Sequence, residues 1–389
     1  MKDVTRFDWK RTIRINITAL KILGLWPAHN DSYGCNLYTL YEIVVMVFFE
    51  IGFIFSQTVN LFFILDDLQA VTEIIFVSLM EMLAILKSYC LIKNMKMLKQ
   101  LMMTVNSDLF QPKSLQQRDL IQPSLNAWKT IVSLFWFFTV GWLFFYCFCP
   151  IFDRSFRKYR LPFLAWYPYK TKTSPQYELT YLHQFIGITY LALVDVNIDS
   201  LIAALNMYIG AQFDILCDDL KNFHDSKSDT SADAKKKLKQ CIQHHREILK
   251  FAEYANQFYN WLVFVEFFVG GFSIGLSMFQ LTIVIPFSGE FYSFISYSNC
   301  ISLQVFLYCW FGNEIEVKSA KLPYAVFASD WTSLPPEIKR DLVIFLLRIH
   351  RPLKMSAFGL FNLSLETFVK IMRTAWSYFA LLRQVNSPK

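Results

Sequence analysis

Residues 306–319 read FLYCWFGNEIEVKS, an apolar, aromatic run that gives way at Gly312-Asn313 to Glu314, Glu316 and Lys318. A strand leaving a water-soluble core ends this way, and so does a helix leaving a membrane. Composition separates the two. Of 389 residues, 54% are hydrophobic and 18% charged, and the mean hydropathy is +0.31. Soluble domains carry about 45–50% apolar and about 25% charged residues. The chain therefore reads as a polytopic membrane protein. Its 39 Phe, 19 Tyr and 10 Trp suit membrane interfaces and apolar pockets.

A membrane-crossing helix needs about 20 mostly apolar residues. Seven windows qualify: 37–65, 70–92, 129–150, 182–211, 258–286, 291–311 and 358–384. The connections 66–69 and 287–290 are tight, and the others are long and basic. Residues 1–36 hold scattered bases and no apolar core of a signal peptide, so the first span is expected to act as its own signal.

Lys and Arg set the orientation of such a chain. With the N-terminus inside, segments 1–36, 93–128, 212–257 and 312–357 are cytoplasmic and hold 26 of them, against 7 in the outer segments. The expected fold class is thus an all-α membrane protein of seven transmembrane helices, N-terminus cytoplasmic and C-terminus extracellular. This is opposite to a receptor coupled to G proteins, whose Asp-Arg-Tyr and Asn-Pro-x-x-Tyr motifs are also missing. The sequons at Asn16 and Asn30 fall inside and that at Asn362 lies in or beside a span, so no glycan is expected. Span six enters at Phe291 and leaves at Gly312, which puts Glu314, Glu316 and Lys318 in inner water.

Ionisable residues inside spans are costly and mark helix contacts or functional sites. Here they are Glu42, Glu50, Glu73, Glu81, Lys87, Asp195, Asp199 and Glu266. Asp195 and Asp199, four apart, share one helix face. The plain expectation is that these groups face other helices and pair there. The last window carries Glu366, Lys370, Arg373, Thr374, Ser377, Arg383 and Gln384. So polar a helix must be wrapped in protein or line water. Span six has no charge. Its Ser293, Ser296, Ser298, Asn299, Ser302 and Gln304 mix with Phe294, Tyr297 and Ile301, a wall suited to a small ligand or to hydroxyl contacts between helices.

Between the spans, residues 226–240 (SKSDTSADAKKKLKQ) read as a flexible loop whose lysines form a solvated face near lipid rather than a nucleic-acid site. Residues 335–350 (PPEIKRDLVIFLLRIH) read as a helix opened by two prolines, with Ile338, Leu342, Phe345, Leu346 and Ile349 on one stripe. It packs on the ends of other spans, on another subunit, or on the membrane surface. The cysteines read as buried thiols without disulfides, and His244-His245 lacks the spacing of helical zinc ligands. No constellation for covalent chemistry, phosphate binding or a cofactor appears, so no enzyme, cofactor or metal is expected.

The C-terminal third resembles the insect odorant receptor family. The resemblance rests on Tyr308-Cys309-Trp310-Phe311-Gly312-Asn313-Glu314-Ile315, Ser329-Asp330-Trp331 with Leu334-Pro335, and Arg351-Pro352-Leu353. It continues in Leu363-Ser364-Leu365-Glu366-Thr367-Phe368 and Tyr378-Phe379-Ala380-Leu381-Leu382-Arg383. Upstream, Gly24-Leu25-Trp26-Pro27 and Leu161-Pro162-Phe163 with Trp166-Tyr167-Pro168 are also similar to family motifs. Ala375-Trp376-Ser377 departs from the Ser-Tyr-Ser of many members.

This resemblance implies a subunit of a tetrameric, odorant-gated, non-selective cation channel in the plasma membrane of olfactory neuron dendrites. A tuning subunit binds the odorant and assembles with a shared coreceptor. The chain resembles the tuning subunit, because its second cytoplasmic loop lacks the coreceptor's long insertion. The implied organisation is an N-terminal segment 1–36, helices one to six over 37–311, an anchor segment 312–357 and a pore-lining helix within 358–389. Implied gate positions are Leu381, Gln384 and Val385. The implied pocket lies in the outer half: Ile75, Phe76, Leu79 and Met80 in span two, Gly141, Trp142, Phe145 and Tyr146 in span three, Gly187 and Tyr190 in span four, and Phe294, Tyr297, Ser298 and Ile301 in span six. So aromatic a box with almost no charge would take a neutral volatile, aromatic or otherwise compact. The expected partners are thus the coreceptor, the odorant, membrane lipid and permeant cations, with no nucleic acid.

A gustatory receptor, a tastant-gated channel of the same fold, is the alternative. Its Thr-Tyr-x-x-x-x-x-Gln-Phe signature is matched poorly, since Thr374 precedes Ala375-Trp376 and Gln384 precedes Val385. A metabotropic seven-helix receptor is opposed by the orientation. A transporter is opposed by the lack of a span pair broken by Gly or Pro.

Overall fold

The computed structural model describes residues 6–27, 37–66, 68–224 and 230–385. Within these the regular structure is helical apart from one two-stranded hairpin. The side chains of Glu73 and Phe76, and Asn30, lie outside the described set.

The chain opens with α1 (Arg14–Ile22). It stops because Gly24 takes φ +84° and Leu25 N–H returns to the Leu20 carbonyl at 2.9 Å, a left-handed cap that glycine adopts without strain. A continuous helix follows over 37–61, as α2 (Leu37–Val45), a π-helical turn and α3 (Gly52–Leu61). Then come α4 (Leu68–Lys93), α5 (Met95–Val105), α6 (Leu115–Phe152), α7 (Gln176–Lys221), α8 (Ser231–Ile283) and α9 (Gly289–Ser319). The chain closes with α10 (Leu322–Phe327), α11 (Pro336–Ile349), the hairpin β1 (Ser356–Ala357) and β2 (Phe361–Asn362), and α12 (Leu365–Val385).

Among the described residues, five helices are long and apolar enough to cross a membrane: 37–61, 70–93, α6, α7 and α8. The other two windows are helical as well, as α9 and α12. The serines of α9 and the charges of α12 dilute their hydropathy. At 1.5 Å per residue α7 and α8 are about 70 and 80 Å long, against a hydrocarbon core of about 30 Å. Both project well past any membrane. Residues 196–213 of α7 are almost wholly buried, so α7 is the axis on which α1, α6, α8, α9 and α10 pack.

The α9 helix runs through Gly312-Asn313 without interruption. The glycine is there for a close approach: a Cβ on it would fall on the Cβ and carbonyl of Leu363. The expectation that Glu314, Glu316 and Lys318 simply sit in water is corrected. Lys318 Nζ donates to Asp214 at 2.5 Å and to Ser124 Oγ at 2.6 Å, joining α9 to α7 and α6. Glu316 pairs with Lys354 at 2.9 Å.

Two further corrections concern boundaries. Of the segment 226–240 expected as a loop, residues 226–229 lie outside the described set. From Ser231 it is helical, because Thr230 and Asp233 form a capping box. The seventh window begins as the hairpin, with Ser356 opposite Asn362, and its helix starts at Leu365.

The projecting ends are held by a small hydrogen-bond web. Trp9 Nε1 and Gln212 Nε2 both donate to the Phe110 carbonyl, at 3.2 and 3.1 Å. With its nitrogen so used, Gln212 presents Oε1, which accepts from His244 Nε2 at 3.0 Å. Burial pushes His244 down to about 3, with Lys113 and His245 adding repulsion. Burial, with Arg348, pushes His245 down to about 4. Helix α11 lays Phe345 against His245, ring centroids 5.5 Å apart. Ile338, Leu342, Phe345 and Ile349 are buried, each worth about 2 kcal/mol by area. Its other face leaves Val343, Ile344 and Leu347 exposed. The seven described cysteines are free thiols. Asn16 is buried against Asn197.

Candidate functional site

Helices α4, α6, α7 and α9 line a cavity of about 50 Å³. Val77, Met80, Glu81 and Ala84 line it from α4, and Thr139 and Trp142 from α6. Ile188, Leu191, Ala192, Asp195 and Val196 line it from α7, and Tyr297, Cys300 and Ile301 from α9. The spacings three, four and seven put each set on one helix face. The Tyr297 ring stands 5.4 Å from that of Trp142. Thr139 and Cys300 lie 3.2 Å apart and satisfy each other. Phe163, in the connection after α6, stands 4.7 Å from the Tyr146 ring. It is fixed by paired hydrogen bonds with Gln184, both 3.1 Å.

One wall of the cavity is the edge of a buried charge cluster. Lys87 of α4 lies 2.6 Å from Asp195, 2.9 Å from Asp199 and 2.7 Å from Glu266 of α8. Gln304 donates to Asp195 at 2.7 Å and to Asp199 at 2.5 Å, and the Tyr308 hydroxyl donates to Asp199. The lysine occupies the place a metal ion would take among the three carboxylates. Removing one partner from so buried a set leaves uncompensated charge. The cluster thus ties α4, α7, α8 and α9 beside the cavity. This meets the expectation that these charges pair between helices, while Glu42, Glu50 and Glu81 have no cation partner among the described residues.

The α8 helix connects this assembly to α12. A Cβ at Gly270 would lie 3.4 Å from Ile301, a cavity residue. On the neighbouring face, Gly271 meets Ile371, and a Cβ at Gly275 would lie 2.9 Å from the Ala375 carbonyl. Small residues let helix backbones approach this closely. Ala375, where the sequence departs from the family pattern, is fully buried there. Along α12 only Thr367, Ala375 and Phe379 are buried. Leu381, Gln384 and Val385 are exposed on the isolated chain.

Of the residues expected in a pocket, Met80, Trp142, Tyr297 and Ile301 line this cavity. The other described ones lie around it, and the side chain of Phe76 lies outside the described set. Gly187 faces Phe49 and Phe53 instead, one position, or about 100° of helix, from Ile188. The Tyr190 hydroxyl reaches the Leu23 carbonyl at 3.1 Å. Gly141 faces Ser296, and Phe145 stacks near Tyr292 at 5.6 Å. Tyr146 and Phe294 line a neighbouring cavity beside Arg160 and Glu290. Ile75, Leu79 and Ser298 are half-buried and outside the lining. The expectation of almost no charge is corrected, since Glu81 and Asp195 are part of the wall. Those two carboxylates were the usable signal. Intramembrane charge marks the protein-facing side of a helix, and Ile188, Leu191 and Ala192 share that side with Asp195.

Comparison with known proteins decides the family. The model of the 7tm odorant receptors matches residues 67–376. The chain belongs to the 7tm odorant receptor family. The receptor is 21% identical to odorant receptor 46a, isoform A, of Drosophila melanogaster, over 95% of this chain and 96% of that one. It is 22% identical to odorant receptor Or1 of Anopheles gambiae, over 98% and 97%. Its fold matches the olfactory receptor OR5 of Machilis hrabei, solved in complex with eugenol, with a TM-score of 0.84. That match has 17% identity and covers 98% of this receptor and all of the other. The receptor therefore has the helical membrane fold of insect olfactory receptors.

Proposed function

We propose that this receptor is the tuning subunit of an odorant-gated, non-selective cation channel, assembled with the odorant receptor coreceptor as a heterotetramer. A small volatile occupies the cavity between α4, α6, α7 and α9. The observation that carries this reading is the continuity from cavity to α12. Ile301 lines the cavity and packs at Gly270, and the same α8 helix seats α12 through Gly271 and Gly275.

In the assembled channel α12 lines the central pore, and its exposed Leu381, Gln384 and Val385 turn toward the axis, where apolar side chains gate by dewetting. The exposed face of α11 meets other subunits. The N-terminus and the projecting ends of α7 and α8 are cytoplasmic, in keeping with the bias of Lys and Arg. The odorant acts by binding the open arrangement more tightly than the closed one. The structure of the Machilis hrabei receptor with eugenol supports a small-molecule site in this fold. The channel belongs in the plasma membrane of olfactory dendrites.

Whole-cell recording with a panel of volatiles, with G-protein signalling blocked, tests this. The comparison is between this receptor alone, the coreceptor alone and both together. A fast cation current that needs both chains is expected. A current from this receptor alone would remove the coreceptor, and no current from the pair at the cell surface would refute the ligand-gated reading.

A further inference from the structure

The polar groups of the cavity wall are nearly all spoken for. Asp195 is held by Lys87 and Gln304, Thr139 by the Phe135 carbonyl, and Tyr297 by Ser273. Two atoms are not. Glu81 is 3% exposed and its Oε1 accepts from Gln57 at 3.1 Å, but its Oε2 is buried with no hydrogen-bond partner. Trp142 is 6% exposed, and its Nε1 likewise lacks a partner. Among the described residues no cation lies within ion-pair distance of Glu81.

Buried polar atoms are almost always satisfied. A pair left open in the wall of a cavity is what a ligand would complete, and the pair defines the ligand's chemistry. Trp142 offers a donor only. A carboxyl offers an acceptor when ionised and an O–H donor when protonated. An ether or ketone oxygen accepts and cannot donate. An ammonium donates and cannot accept. A hydroxyl does both, and so satisfies Glu81 in either state while accepting from Trp142.

We infer that, if the cavity is the odorant site proposed above, Glu81 and Trp142 select small hydroxyl-bearing volatiles, alcohols or phenols. The apolar remainder of the wall takes the carbon skeleton, and Glu81 and Trp142 orient its oxygen. Methylating the hydroxyl still lets Trp142 donate to the oxygen but leaves the ionised Glu81 without a donor, which a site of this kind penalises far more than a missing methylene.

The test is a set of matched compounds applied to cells expressing receptor and coreceptor. Each skeleton, such as 4-methylphenol or 1-hexanol, is presented as the hydroxyl compound, its methyl ether, the carbonyl analogue and the primary amine. The hydroxyl member is expected to be more potent than its ether by about tenfold or more. Glu81→Leu should erase that preference by lowering hydroxyl potency while ether potency stays. Trp142→Phe should lower hydroxyl potency with the ring retained. Glu81→Gln, which keeps an acceptor, should retain part of the preference and guards against a folding defect in Glu81→Leu. Equal potency of ether or ketone in the wild type, preference for the amine, or a hydroxyl preference that survives Glu81→Leu would overturn the inference and leave the channel reading standing. Silence across every set, with the receptor labelled at the surface, would overturn the channel reading and this inference with it.

Discussion

Gly312 and Leu363 touch backbone to backbone: a Cβ on the glycine would overlap the leucine's Cβ and carbonyl oxygen, far inside van der Waals contact. The residue that looked like the end of an apolar run is a docking point inside a continuous helix. It seats the hairpin that delivers the chain into α12. Gly312→Ala cannot be relieved by a rotamer, so the hairpin must move, at about 1–3 kcal/mol for overpacking. The variant is expected to lose thermal stability in detergent and most of its odorant current. Wild-type melting and current would show that the contact does not position α12.

Among the described residues, Lys87 is the single cation paired with Asp195, Asp199 and Glu266. Lys87→Met strands three carboxylates and should cost about 3–5 kcal/mol, seen as loss of surface labelling. Adding Asp199→Asn and Glu266→Gln should restore part of the expression. A Lys87→Met receptor that reaches the surface normally would contradict the cluster's structural role.

His244 and His245 make the projecting end acid-sensitive. Their folded values, about 3 and about 4, lie below the ordinary 6.5. The folded state therefore binds fewer protons than the unfolded one in that interval. Their stabilisation is fully present above pH 6.5 and is lost as pH falls through it toward 4. Purified receptor should melt at a lower temperature at pH 5 than at pH 7.5, and His244→Gln with His245→Gln should flatten that dependence. An unchanged slope in the double variant would assign the acid sensitivity elsewhere.

The orientation is testable at the exposed lysines after Thr230. A cysteine placed at Lys236 should react with a membrane-impermeant thiol reagent only after cells are permeabilised. Burial pushes the native Cys217 and Cys241 thiols up to about 12, so they stay silent. Labelling of intact cells would invert the topology.

The helical windows, the striped α11 helix and the expectation that charges inside spans pair between helices were legible because each depends on local pattern, whereas the partners of Lys87 were not. Ile338, Leu342, Phe345 and Ile349 point to one side wherever the helix lies. The rotation of α7 near its outer end was legible only through Asp195, seven residues on from Ile188 and so on the same face, a signal the residues beside the cavity do not carry themselves. With both Gly187 and Ile188 apolar, nothing in their own chemistry says which faces the cavity and which faces Phe53. The Gly312 contact was hidden for a related reason. A glycine that ends an apolar run and one that receives another backbone read alike until both partners are in place.

We propose that the cavity sets odorant sensitivity while α12 sets what the pore conducts. Tyr297→Ala, recorded with the coreceptor, separates the two. Odorant potency should fall by about tenfold or more, while the reversal potential under bi-ionic conditions stays at its wild-type value. A shifted reversal potential with potency intact would place Tyr297 in the conduction path and contradict the account.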